Sequence, residues 1–148
     1  MTSLPELIRR ARDTADPQPL VSAIPYANFM GLTASLEAGG GVVGELAASD
    51  HLIGNARMGH LHGGATAALL ESTAIFQLLF SVDTGAVPKT INITLQYLRS
   101  GKHQTTRARA EITRLGRRVA NVYSTAWQDD RQRPIAAATA HFLLSSPA

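Results

Sequence analysis

With 148 residues and no cysteine, the chain has room for one domain with its own core, residues 1–148, and excludes disulfide staples, thiol nucleophiles and cysteine metal sites. The net charge of +3 comes from 14 basic and 11 acidic side chains, and most of the late basic residues are expected on solvated strand faces and turns. One Trp, three Tyr and four Phe supply no stacking platform interleaved with those charges, which argues against nucleic acid as a partner.

The N-terminal fifteen residues contain Glu6, Arg9, Arg10, Arg12 and Asp13 in place of a continuous apolar run. No signal peptide is expected, and a cytoplasmic setting fits the missing cysteines. Leu4, Leu7, Ile8 and Ala11 recur at helical spacing, with Ser3 able to cap and Pro5 suited to a first turn. A short amphipathic helix is predicted there. Asp16-Pro17-Gln18-Pro19 ends it, so residues 1–19 form an N-terminal helix and linker. Residues 21–30, with Pro25 among scattered apolar anchors, read as irregular chain packed on the core.

Residues 32–37 and 42–47 are short strands around Gly39-Gly40-Gly41, a hairpin signal. Residues 49–59 read as a loop. Then His60-Leu61-His62-Gly63-Gly64 turns into a nearly all-apolar helix ending at Phe80. That helix is broken by Thr66, Glu71, Ser72, Thr73 and Gln77, and is expected to be too short and too polar to span a membrane.

Beyond residue 88 the period becomes two. Ile91, Ile93, Leu95 and Tyr97 alternate with Thr90, Asn92, Thr94 and Gln96, a half-buried strand. Residues 105–115, 119–127 and 135–144 follow, separated by turns at 100–102, at Gly116 and at 129–133. Long strands on short turns predict an antiparallel meander. A helix apolar on almost every side must be surrounded. The expected architecture is therefore α+β, a curved antiparallel sheet of five or six strands wrapped on a long central helix. Trp127 and Phe142 read as core.

The chemistry is expected at that helix. Gly63 and Gly64 let backbone approach a ligand closely, and the first N–H groups of a helix lack intrahelical partners. Together with the helix dipole this is the physics of an oxyanion hole. The same glycines also serve a tight turn, so the pattern alone leaves both roles open. His62 falls at the N-cap, where it can polarise a carbonyl, orient a water or bond backbone. His60 and His62, at spacing two with no third ligand in view, make a weak zinc pattern, and no metal is expected. Glu71 interrupts an apolar helix. A buried carboxylate needs a partner or a task, and a base or nucleophile is the favoured reading. Gly63 and Glu71 stand eight residues apart, about 12 Å along one helix. One carbonyl cannot touch both. Either they do separate jobs, or a site combines Gly63 of one subunit with Glu71 of another, which predicts a homodimer.

At these residues the chain resembles hotdog-fold acyl-CoA thioesterases of the phenylacetate-pathway type. The pattern is Asn55, Gly59, His62-Gly63-Gly64 and Glu71, followed by the strand TINITLQYLRSG at 90–101 and by Gly116-Arg117-Arg118. The resemblance spans about residues 20–145. It implies thioester hydrolysis of an acyl-CoA with no cofactor. The Gly63 N–H would polarise the carbonyl, and Glu71 of the partner subunit would act as base or nucleophile. Asn55 and His62 would position carbonyl or water. Gly64, Arg99, Lys102, Arg117 and Arg118 would bind substrate, the basic four holding the CoA phosphates. Dimers that pair into tetramers are implied too. Many relatives carry Asp where this chain has Glu71, and Asn55 lies seven residues before His62, one more than the family spacing. A hotdog hydratase or dehydratase, and a non-catalytic acyl-CoA-binding module, are the alternatives.

Overall fold

The computed structural model describes residues 1–144. The N-terminal helix α1 spans Leu4–Thr14 and starts with Pro5 in its first turn, where the missing N–H costs nothing. Two further short helices follow, α2 (Gln18–Ser22) and α3 (Pro25–Met30). Residues 21–30 are therefore not irregular. The prolines that read as breakers, Pro19 and Pro25, stand in the first turns of these helices. Gly31 ends α3 with φ of 74°, a left-handed cap that glycine adopts without strain.

Strands β1 (Leu32–Leu36) and β2 (Val42–Leu46) form the hairpin expected around the triple glycine. A 3₁₀ turn at Asp50–Leu52 leads to two very short strands, β3 (Ile53–Asn55) and β4 (His60–Leu61), which pair with each other. The central helix α4 runs Gly63–Ser81. Strands β5 (Lys89–Tyr97), β6 (Thr106–Leu115), β7 (Val119–Trp127) and β8 (Ala136–Leu143) complete the fold.

Six strands make one antiparallel sheet in the order β1-β2-β6-β7-β8-β5. The sequence pattern predicts a meander through β5, β6, β7 and β8. Only the last three follow it. The link at 98–105 is too long for a tight hairpin and is held at the start of α4, where Leu61 N–H bonds the Gly101 carbonyl and His60 bridges to Lys102. Strand β5 consequently lies beyond β8, as the sheet edge.

Helix α4 packs on β2, β6, β7, β8 and β5. Five strands span about 19 Å at their usual spacing, wider than a helix, so the sheet must curl to reach it. This is the architecture expected of a hotdog fold. The expectation that α4 is too short and too polar to span a membrane does not hold, since by length and composition alone it could cross one; its burial makes it a core helix, with Leu69, Leu70, Phe76, Leu78 and Leu79 buried. Phe142 is fully buried and Trp127 nearly so, as expected.

Two further expectations need correction. The helix is not wrapped on every side: Gly64, Ala67, Glu71, Ser72 and Ile75 lie on a stripe that is exposed or only half-buried. Nor is β5 a cleanly half-buried strand. Ile93 and Leu95 are half-buried, but Ile91 is 54% exposed and Tyr97 56%, because the strand is an edge and carries a bulge between Thr90 and Asn92.

Candidate active site

The start of α4 is pinned from four directions. The His62 N–H bonds the Leu52 carbonyl, and the His62 carbonyl receives the N–H groups of Ala65 and Thr66. The His62 ring caps the helix, its Nδ1 accepting the Gly64 N–H at 2.9 Å. The Tyr97 hydroxyl donates to the Gly63 carbonyl at 2.9 Å. A helix start expected to be rich in bare N–H groups therefore presents one among the described residues, that of Gly63. With Nδ1 accepting, the His62 ring hydrogen sits on Nε2, assigned from that bond.

The glycines have specific reasons to be glycine. A Cβ on Gly63 would lie 3.1–3.3 Å from the Tyr97 hydroxyl and ring, and one on Gly64 2.9 Å from His62 Nδ1. One on Gly54, in β3, would meet the His62 backbone at 2.8 Å. The turn is built by close approach of His62 and Tyr97.

Gly63 borders a cavity of about 530 Å³ lined by His60, Leu61, Thr66, Tyr97, Arg99 and Ile135, among others. A smaller hollow of about 290 Å³ adjoins it, sharing Arg99, Ser100 and Ile135 and adding Lys102, Arg133, Asp129 and Asp130. Arg99 and Lys102 thus flank the space next to Gly63. Arg117 and Arg118 do not: with Arg114 they line a separate hollow at the β6–β7 hairpin. Strand β7 has nine residues, so its two ends lie about 27 Å apart. One chain cannot bring all four basic residues to one ligand.

Asn55, on β3, is exposed, and its Oδ1 accepts the Met58 N–H at 3.2 Å. The carbonyl end of that amide is engaged in the turn, and its amino end has no hydrogen-bond partner among the described residues. Glu71 is half-buried rather than buried. No hydrogen bond or ion pair reaches it within the chain among the described residues, and it does not line the cavity beside Gly63. The Ser, Thr or Asn partner expected for a structural role is not found among the described residues. No three His, Asp or Glu side chains cluster as metal ligands among the described residues.

The arrangement leaves three hydrogen-bond donors without a partner among the described residues (the Gly63 N–H, the His62 Nε2–H and the Asn55 amino group) and a carboxylate on the open face of the same helix. Tyr97, Gly54 and Arg133 escaped the sequence reading. Tyr97 reads as one more apolar position of an alternating strand, and only the fold sets it against Gly63.

A curled antiparallel sheet on a glycine-started central helix defines the class, and comparison with known proteins agrees. The model of the Thioesterase superfamily matches residues 58–135, over half of the chain, and the protein belongs to that superfamily. A Chromobacterium violaceum protein of solved structure is 36% identical, with a TM-score of 0.77 over 95% of this chain and 98% of its own. A Ralstonia eutropha protein, described as a candidate thioesterase related to phenylacetic acid degradation, is 26% identical, with a TM-score of 0.75 over 93% and 99%. A Bacillus halodurans protein solved with CoA is 18% identical and shares the fold, with a TM-score of 0.73 over 94% and 91%. Comparison with curated proteins finds no match.

Proposed function

We propose that the protein hydrolyses the thioester of an acyl-CoA to free acid and CoA, at a site shared by two copies of the chain. The observation that carries this is the pairing of an N–H and a carboxylate that both lack partners among the described residues: that of Gly63, beside a cavity, and that of Glu71, on the uncovered face of the same helix.

Two-fold symmetry supports the sharing. An axis perpendicular to the helix at the level of residue n exchanges levels n+d and n−d, so Gly63 meets the partner's Glu71 when the axis passes at residue 67. Ala67 lies on the open stripe, small enough for a second helix to approach. Strand β5, at one end of the sheet order, is an edge nine residues long, a ready template for pairing with a second copy. Antiparallel pairing of two β5 edges also reverses the sheet ends. The partner's Arg117 and Arg118 then lie toward the end that carries Arg99 and Lys102, which gives a scattered basic set a common ligand.

In the proposed reaction the thioester carbonyl accepts the Gly63 N–H, with the His62 Nε2–H and the Asn55 amino group as further donors. The partner's Glu71 either takes a proton from water, which attacks the carbonyl carbon, or attacks that carbon itself to form an anhydride that water then opens. The charge that develops on oxygen is met by preorganised donors at the positive end of α4. The C–S bond breaks, and the departing thiolate takes up a proton. CoA is chosen as the thiol because Arg99, Lys102 and Arg133 border the cavities next to Gly63, and phosphates suit such a set. The protein of the same fold from Bacillus halodurans was solved with CoA.

The test is release of free thiol from a panel of acyl-CoAs that varies chain length and aromaticity. At least one member should be turned over. No thiol release, with hydration of an enoyl-CoA instead, would replace this reading with the hydratase one; binding without either reaction would leave a binding module.

A further inference from the structure

Tyr97 stands at the end of the edge strand, yet its hydroxyl reaches into the first turn of α4. The peptide unit between Gly63 and Gly64 is held at both ends: its carbonyl accepts from Tyr97 and its N–H donates to His62 Nδ1, each at 2.9 Å. We infer that Tyr97 is a positioning residue that locks the 63–64 peptide, and through it sets the aim of the Gly63 N–H and the donor strength of the His62 Nε2–H. Its activity readout rests on the proposed thioester chemistry.

Glycine has the freest backbone of any residue, so a donor carried by Gly63 wanders unless its neighbours are fixed. The peptide before Gly63 is fixed through the His62 carbonyl, which takes the N–H groups of Ala65 and Thr66. The peptide after it has the His62 ring on one side and Tyr97 on the other, and the ring of Tyr97 fills the space a Cβ on Gly63 would need. The chain of donors also has one direction. The Tyr97 hydroxyl polarises the peptide carbonyl, the peptide N–H polarises His62 Nδ1, and the series ends on Nε2–H; aligned hydrogen bonds of this kind strengthen one another. The same ring walls the cavity beside Gly63, so the residue borders the space proposed for substrate as well as the turn.

The test is Tyr97→Phe, which keeps the ring and removes only the hydroxyl. With the best substrate of the panel, kcat should fall about tenfold while KM stays within about twofold, since small misplacement of a reacting group costs rate rather than binding. In nuclear magnetic resonance spectra the Gly64 amide proton should move upfield and exchange faster, and the His62 ring nitrogens should shift. The melting temperature and the oligomeric state should not change. An unchanged kcat with an unmoved Gly64 resonance would overturn the inference, and so would a loss of kcat that only tracks loss of stability or of subunit pairing. If the wild-type protein releases no thiol, the proposed function fails by itself. The Gly64 and His62 resonances then decide the role of Tyr97 alone: shifted, it stands; unmoved, it falls.

Discussion

Arg12 grips the end of the central helix from outside it: its Nε and Nη2 lie 3.1 and 2.6 Å from the Leu79 carbonyl, and Nη2 reaches the Val82 carbonyl at 2.7 Å. The last carbonyls of a helix lack partners within it and carry the negative end of its dipole, so a cation that donates to them satisfies both needs. Helix α1 docks through this contact as well as through its buried Ile8 and Ala11.

Arg12→Ala should therefore lower unfolding free energy by about 1–2 kcal/mol, the scale of charge-assisted bonds at a helix terminus. Arg12→Lys should recover part of this, because it keeps the charge and loses the fork. Urea denaturation measures it. An Arg12→Ala midpoint equal to that of the wild type would mean that α1 docks by its apolar face alone.

A second prediction concerns acid. Glu37, just past β1, receives Arg131 through two bonds of 2.9 and 3.2 Å and the Arg109 Nε at 2.6 Å. Arg131 also lies over the Trp127 ring, 4.8 Å from its centre. The hydrogen bonds from Arg131 hold the Glu37 carboxyl below its ordinary value of 4.5, helped by Arg109 and opposed by partial burial. A carboxyl depressed in the fold stabilises it above the unfolded value, and that contribution disappears as pH falls through the folded one. The stability gap between wild type and Glu37→Gln should be full at pH 6 and shrink from 4.5 downward. Denaturation midpoints of both proteins between pH 6 and pH 3 test this; a gap that does not change with pH would exclude the linkage.

Local pattern carried much of this fold. Strand β7 begins and ends where its alternation does, at Val119 and Trp127, and α4 runs one residue past its expected end. His62 and Gly63 were legible as cap and first turn because those roles depend on neighbours in the chain. What could not be read depends on residues far apart. The place of β5 beyond β8 is decided by which strands pair, and periodicity is blind to that. Gly44 passes as an ordinary strand residue, yet a Cβ there would clash with Thr73 Oγ1, so the helix and β2 are closer than any pattern tells. Glu71 reads as buried because it stands in a largely apolar helix; the stripe it stands on is open among the described residues, and the proposed second copy would cover it.

That stripe yields the third prediction. Ala67→Arg places a long cation where the proposed axis passes and should convert the pair to monomers with loss of hydrolysis. The fold of each chain should persist, because Ala67 is not part of the buried core. Sedimentation and circular dichroism separate the two effects. A dimer that survives Ala67→Arg would move the interface elsewhere.

The shared site itself is tested by mixing. Glu71→Gln should abolish hydrolysis without destabilising the chain, since no group among the described residues bonds to that carboxylate. Gly63→Val should abolish hydrolysis too, by driving a side chain into Tyr97. If each site takes Gly63 from one subunit and Glu71 from the other, a mixed dimer carries one doubly damaged site and one intact site. Equal mixing with free exchange makes half the dimers mixed, so about a quarter of wild-type activity should return. If both residues served a site within one chain, every chain in the mixture would still lack one of them, and no amount of exchange would restore turnover. Thiol release from the exchanged mixture, with exchange verified by mass-labelled subunits, therefore distinguishes the two arrangements.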